Sequence, residues 1–120
     1  MLKKLIIIIL FALILPLSAY AEFTVEEYRQ FEQYPEVKES LNSYVTGVGR
    51  GIFWANVMLG FQNTPPLFCI PANLSLDEGI IISLLDQEIR NPMKGARYEA
   101  DTPIELILTG AFIHRFPCDD

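Results

Sequence analysis

From Pro35 to Pro65 the chain is free of proline, and its apolar residues recur at helical spacing along most of that interval. Val37, Leu41, Tyr44, Val45, Val48, Ile52, Ala55 and Leu59 follow one another in steps of 4, 3, 1, 3, 4, 3 and 4, which places them on one face of an α-helix. A helix from near Pro35 to Phe61 is long for a chain of 120 residues, so the rest must be built around it. Gly60 is a candidate for the residue just past its end, and Pro65, Pro66 and Pro71 forbid a regular helix beyond. A second stripe, Ser43, Gly47, Gly51 and Ala55, has a step of four. Each interior glycine costs about 1 kcal/mol of helix propensity relative to alanine. Gly47 and Gly51 are therefore predicted to admit a closely packed helix, either at the centre of the domain or in a dimer seam.

Three shorter segments carry helix start signals. Thr24 with Glu27 forms a capping box ahead of a short helix to about Gln33. Ser75 with Glu78 forms another, ahead of Ile81, Leu84, Leu85 and Ile89 and a stop before Asn91-Pro92. Thr102, Pro103 and Glu105 open a last helix as N-cap, first residue and third residue, with Ile104, Ile107, Leu108, Ala111 and Phe112 on its buried face. No stretch alternates at period two over a strand's length. The expectation is an all-α fold: a small compact helical bundle of three main helices plus a short N-terminal one. Phe61 to Pro71 reads as a stiff extended connection. Met93 to Asp101 has no apolar period and reads as an exposed charged loop.

The first residues have a different purpose. Met1-Leu2-Lys3-Lys4 precedes an unbroken apolar run from Leu5 to Leu15, then Pro16 and the small-x-small triplet Ala19-Tyr20-Ala21. That is the layout of a cleaved secretory signal, and an 11-residue run is short of the roughly 20 needed to span a bilayer. Residues 1–21 are thus expected to be a signal peptide and 22–120 a single exported domain, without membrane attachment after cleavage. Loss of Lys3 and Lys4 takes the balance from 9 basic and 15 acidic residues to 7 and 15, a net charge of −8. Such an acidic domain disfavours nucleic acid and anionic lipid and suits a basic protein partner. In an oxidising compartment the only two cysteines, Cys69 and Cys118, are expected to pair; free thiols or an intermolecular bond are the alternatives. The pair closes a loop of about 50 residues, worth roughly 4 kcal/mol in the chain-entropy model.

Little points to catalysis. Glu26, Glu27, Asp77, Glu78 and Glu105 fall in first turns of helices, where they complement the helix dipole. His114, the one histidine, lies four residues before Cys118, but Pro117 interrupts the turn and Cys118 has a disulfide to make, so no metal and no cofactor is expected. Serines are present without a G-x-S-x-G elbow. Gly47 to Gly51 is not a dinucleotide fingerprint, and Asn73-Leu74-Ser75 fits a glycosylation sequon as a by-product of a helix cap. Phe53, Trp54 and Phe61, at the end of the long helix, read as core. Not an enzyme is the expectation.

The ordered set of Tyr44-Val45-Thr46-Gly47-Val48-Gly49-Arg50-Gly51, Trp54-Ala55-Asn56, Pro66-Leu67-Phe68-Cys69 with Pro71, Leu76, Thr102-Pro103-Ile104-Glu105-Leu106 and Phe116-Pro117-Cys118 resembles the Rap/Tai family of type VI secretion amidase immunity proteins. The resemblance covers the chain from about Leu41 onward. It implies an all-α periplasmic protein with a Cys69–Cys118 disulfide, often dimeric, that protects a bacterium by plugging the active-site groove of an injected peptidoglycan amidase. It also implies that the loop before the last helix enters that groove. On this chain the loop is 91–101, with Lys94, Arg97, Tyr98 and Glu99 as the expected contacts and Tyr98 as the anchor. The competing expectation is a periplasmic chaperone or stress-response protein that binds unfolded clients.

Overall fold

The computed structural model describes residues 1–13 and 22–119. Five helices follow in order: α1 (Leu2–Leu13), α2 (Val25–Phe31), α3 (Pro35–Phe61), α4 (Glu78–Arg90) and α5 (Ile104–Arg115). Among the described residues there is no strand, only an isolated antiparallel bridge between Thr24 and Pro103. α3, α4 and α5 are the three main helices of the bundle and α2 the short one. α1 lies within the expected leader; its proposed cleavage site at Ala19 to Ala21 falls outside the described residues. No helix among them is long and apolar enough to cross a membrane.

α3 begins at Pro35, whose missing N–H costs nothing in a first turn. It ends at Phe61, as expected, but the left-handed residue past its end is not Gly60. Gly60 is still helical, and Asn63 takes the left-handed conformation with φ 55°. Thr64 N donates to Leu59 O at 2.9 Å and Asn63 N to Gly60 O at 3.1 Å, the paired bonds of a Schellman motif. The chain then runs extended to Cys69, and Asn56 of α3 clamps it. Its Nδ2 donates to Phe68 O at 2.9 Å, while its Oδ1 accepts from Leu67 N at 2.7 Å. Cys69 N donates to Phe116 O at 2.8 Å, and Cys69 is disulfide-bonded to Cys118. The connection is therefore joined to both the long helix and the end of α5.

Two of the expected caps move. α4 is capped by Asp77, whose Oδ1 accepts from Ile80 N at 2.9 Å; Ser75 lies two residues upstream. The N-cap of α5 is Pro103 and not Thr102. The Thr102 hydroxyl instead accepts Glu99 N at 2.8 Å, and Ile104 N donates to Phe23 O at 2.8 Å. The capping box of Thr24 and Glu27 forms as expected.

The core gathers Val25 and Tyr28 from α2, Leu41 and Val45 from α3, Phe68 from the connection, Ile81, Leu84 and Leu85 from α4, and Ile104, Ile107, Leu108, Ala111 and Phe112 from α5. Phe68 stacks on Phe112 at 4.9 Å between ring centroids. α3 contributes only part of its expected stripe, because Tyr44 and Ala55 are exposed. The small stripe does not lie at the centre of the domain, the first of its two expected places. A Cβ placed on Gly47 or Gly51 would meet nothing within 4 Å, so neither residue packs against a helix of this chain. The glycine that allows close approach is Gly49, where a Cβ would sit 2.6 Å from Cγ2 of Ile81 on α4. The aromatic end of α3 is corrected too: Trp54 and Phe61 retain 62% and 77% of their accessible surface.

Candidate functional site: a loop locked by a buried glutamate

The loop 91–101 leaves α4 at Asn91 and returns to α5 through Thr102 and Pro103. Its shape is fixed by Glu88, in the last turn of α4. Ile81, Leu84, Leu85 and Glu88 share one helical face, and this carboxylate is as buried as the aliphatic side chains beside it. An ionised carboxylate in such a place needs partners. Glu88 has three. Its Oε1 accepts from Met93 N at 2.8 Å and from the Tyr98 hydroxyl at 3.0 Å, and its Oε2 accepts from His114 Nδ1 at 2.7 Å. Burial pushes the Glu88 carboxyl up, but the hydrogen bonds from His114, Met93 and Tyr98 together with the His114 charge outweigh it and hold the group below the usual carboxylate range. Burial, and then the bond to Glu88, pushes the Tyr98 phenol up to about 12.

The far end of the loop is fastened by α2. Glu26 N donates to Ala100 O at 3.0 Å and Val25 N to Thr102 O at 3.0 Å. These two amides belong to the first turn of α2, which has no intrahelical acceptor to offer them. Tyr28 ties α2 in turn to α4, its hydroxyl donating to Asp86 Oδ1 at 2.9 Å.

Within this frame the expected contact residues divide. Lys94, Arg97 and Glu99 are exposed. Arg97 and Glu99 face each other at 3.7 Å, an exposed pair of small energetic weight. Tyr98 does not project outward as an anchor: it is half-buried against the core, with its hydroxyl on Glu88. It crosses α5 at Gly110, where a Cβ would lie 2.8 Å from the Tyr98 oxygen. A change at Tyr98 therefore reaches the core as well as the loop. Between the loop and α5 runs a groove of about 420 Å³, walled by Met93, Ala96 and Arg97 on one side and by Leu106, Thr109 and Ile113 on the other.

Two other acidic and basic residues have roles that the sequence did not disclose. Glu105, expected only to complement its helix, accepts a hydrogen bond from the Tyr44 hydroxyl. That bond, followed by burial, pushes the Tyr44 phenol up to about 12. His114, expected at a helix C-terminus, is there and bonded to Glu88 as well. The signal for Glu88 was present: an acid in an 81–84–85–88 stripe is out of place unless something pairs with it. Among the described residues, no three of the His, Cys, Asp and Glu side chains are gathered so as to hold a metal ion.

No family model, curated protein or solved structure matches this chain.

Proposed function

We propose that the protein is a periplasmic immunity protein that binds a type VI secretion peptidoglycan amidase and occludes its active site. The reading rests on the resemblance to the Rap/Tai family. One structural observation carries it further: the loop 91–101 is fastened at both ends, with Lys94, Arg97 and Glu99 pointing to solvent. A protrusion of fixed shape loses little conformational entropy on binding, which favours tight occupation of a groove. Inhibition is steric and uses no covalent chemistry. Tyr98 serves as a positioning residue, holding the loop through Glu88, while its three charged neighbours make the contacts.

The test is peptidoglycan hydrolysis by the type VI amidase of the same strain, titrated with this protein. Stoichiometric inhibition is expected, weakened at least about tenfold when Lys94, Arg97 and Glu99 are changed together to alanine. Unchanged inhibition by that variant would remove the loop from the interface.

A chaperone is the second reading, favoured by Trp54, Met58, Phe61 and Leu67, which expose more than half of their surface along one end of α3 and the connection after it. Suppression of aggregation of several unrelated unfolded proteins, without inhibition of the amidase, would select it.

A further inference from the structure

At the opposite end of α3 from Trp54, the first turns of that helix and the short α2 enclose a groove of about 520 Å³, within the range of about 300–1,000 Å³ typical of ligand sites. Phe23 is its floor. The ring of Phe31 stacks on Phe23 at 5.7 Å and that of Tyr44 tilts against it at 5.8 Å, forming two walls that are 41% and 42% exposed. Val37 and Leu41 close the apolar surface. The rim is acidic: Glu22 and Glu27 line it, and Glu36 lies one turn before the lining residue Ser40 on α3. Behind Tyr44, Glu105 Oε2 is buried without a hydrogen-bond partner. Residues 22–41 as a whole contain six glutamates against Arg29 and Lys38, a balance of −4. A new α-amino group at Glu22 would leave that segment negative.

We infer that this groove is a docking site for a basic, apolar peptide segment of a protein partner, with an aromatic or aliphatic side chain seated on Phe23 and lysine or arginine side chains on the glutamate rim. An apolar floor alone would accept any greasy surface. The surrounding carboxylates attract cationic segments and repel acidic ones and anionic lipid. Aromatic walls suit a hot-spot contact, since rings already stacked on each other lose little freedom when covered. The groove shares no residue with the loop 91–101, and the inference does not depend on the amidase reading.

The experiment uses the full chain as expressed and exported, and three short fluorescent peptides: alternating Lys and Leu, alternating Glu and Leu, and alternating Lys and Ser. The Lys–Leu peptide is expected to bind, with affinity falling as salt rises from about 50 to 500 mM. The other two are expected to bind at least about tenfold more weakly. Ser40→Lys, which fills the rim and offsets one of its negative charges, should lower Lys–Leu binding about tenfold. Glu78→Gln, an equal change of net charge at the start of α4, should leave it intact. Binding of all three peptides alike, equal effects of the two variants, or no binding would each overturn the inference. So would a dimer that Ser40→Lys dissociates, because a second copy would then be the occupant.

Discussion

Replacing Glu88 separates a carboxylate that organises the loop from one that the core merely tolerates. In Glu88→Leu the Met93 amide, the Tyr98 hydroxyl and the His114 ring lose their acceptor together. Removing one side of a buried, hydrogen-bonded charge pair costs about 3–5 kcal/mol. Leucine returns part of this through apolar contact, and Tyr98 and His114 are open enough to recover water, so the expected net loss is about 2–4 kcal/mol. For a domain near this size each kcal/mol shifts the melting temperature by about 4–8 °C, and a fall of at least about 8 °C is expected at neutral pH. Glu88→Gln keeps an acceptor for Met93 and Tyr98 and a polar neighbour for His114, so its loss should be smaller, about 1–2 kcal/mol.

The pH dependence sharpens the test. The Glu88 carboxyl is held below its ordinary value in the fold. Its contribution is therefore fully present above the unfolded pKa of about 4.3 and is lost as pH falls through the lower, folded value. Wild type and Glu88→Gln should differ most at neutral pH and converge in acid. Urea denaturation at a series of pH values, with hydrogen exchange of the loop amides, measures both. A Glu88→Leu protein that melts at or above the wild-type temperature, with loop amides as protected as before, would refute the role given to this residue.

Three further perturbations read other parts of the structure. Changing Cys69 and Cys118 both to serine should cost about 2–5 kcal/mol, measured by thermal unfolding of oxidised wild type against the variant. Gly51→Ala should stabilise by up to about 1 kcal/mol, since nothing lies near its Cβ position, whereas Gly49→Val should lose about 1–3 kcal/mol against Ile81; a destabilising Gly51→Ala would mean that the exposed face of α3 is covered in solution. Asn56→Ala frees Leu67 N and Phe68 O together and should cost about 1–3 kcal/mol, with faster exchange of the Leu67 amide as the local reporter.

The bounds of α3 were legible from Pro35 at one end and the proline-rich stretch at the other, because proline acts through local sterics. The cysteine pairing was legible from the count of two and from the leader that the sequence led us to expect. Helix starts were legible only to within two residues. Ser75 and Asp77 both offer cap oxygens two residues apart, and it is Asp77 Oδ1 that meets Ile80 N. Thr102 was lost as a cap because Glu99 N competes for its hydroxyl. The face of α3 was misjudged for a related reason. Its apolar residues are broad enough to fill two faces, and only the positions of α4 and α5 decide that Gly49 is inside and Gly51 outside. The lock on the loop joins residues 10 and 26 positions apart, so no local pattern could announce more than one misplaced acid.

The loop and α2 depend on each other. A helix of seven residues is too short to persist alone in water, and α2 persists because its first-turn amides find acceptors at Ala100 and Thr102 and because Val25 and Tyr28 are buried. The loop has no regular structure of its own, and those same bonds supply half of its fastening. Glu88 supplies the other half through Met93 and Tyr98. Loss of either anchor leaves the other with less to hold, so α2, the loop and the contact between Tyr98 and Gly110 belong to one cooperative unit resting on the more self-sufficient pair α4 and α5. In that arrangement the solvent-facing Lys94, Arg97 and Glu99 are displayed by the core itself, and their geometry is only as firm as the buried carboxylate with its three donors and the two α2 amides at the loop's far end.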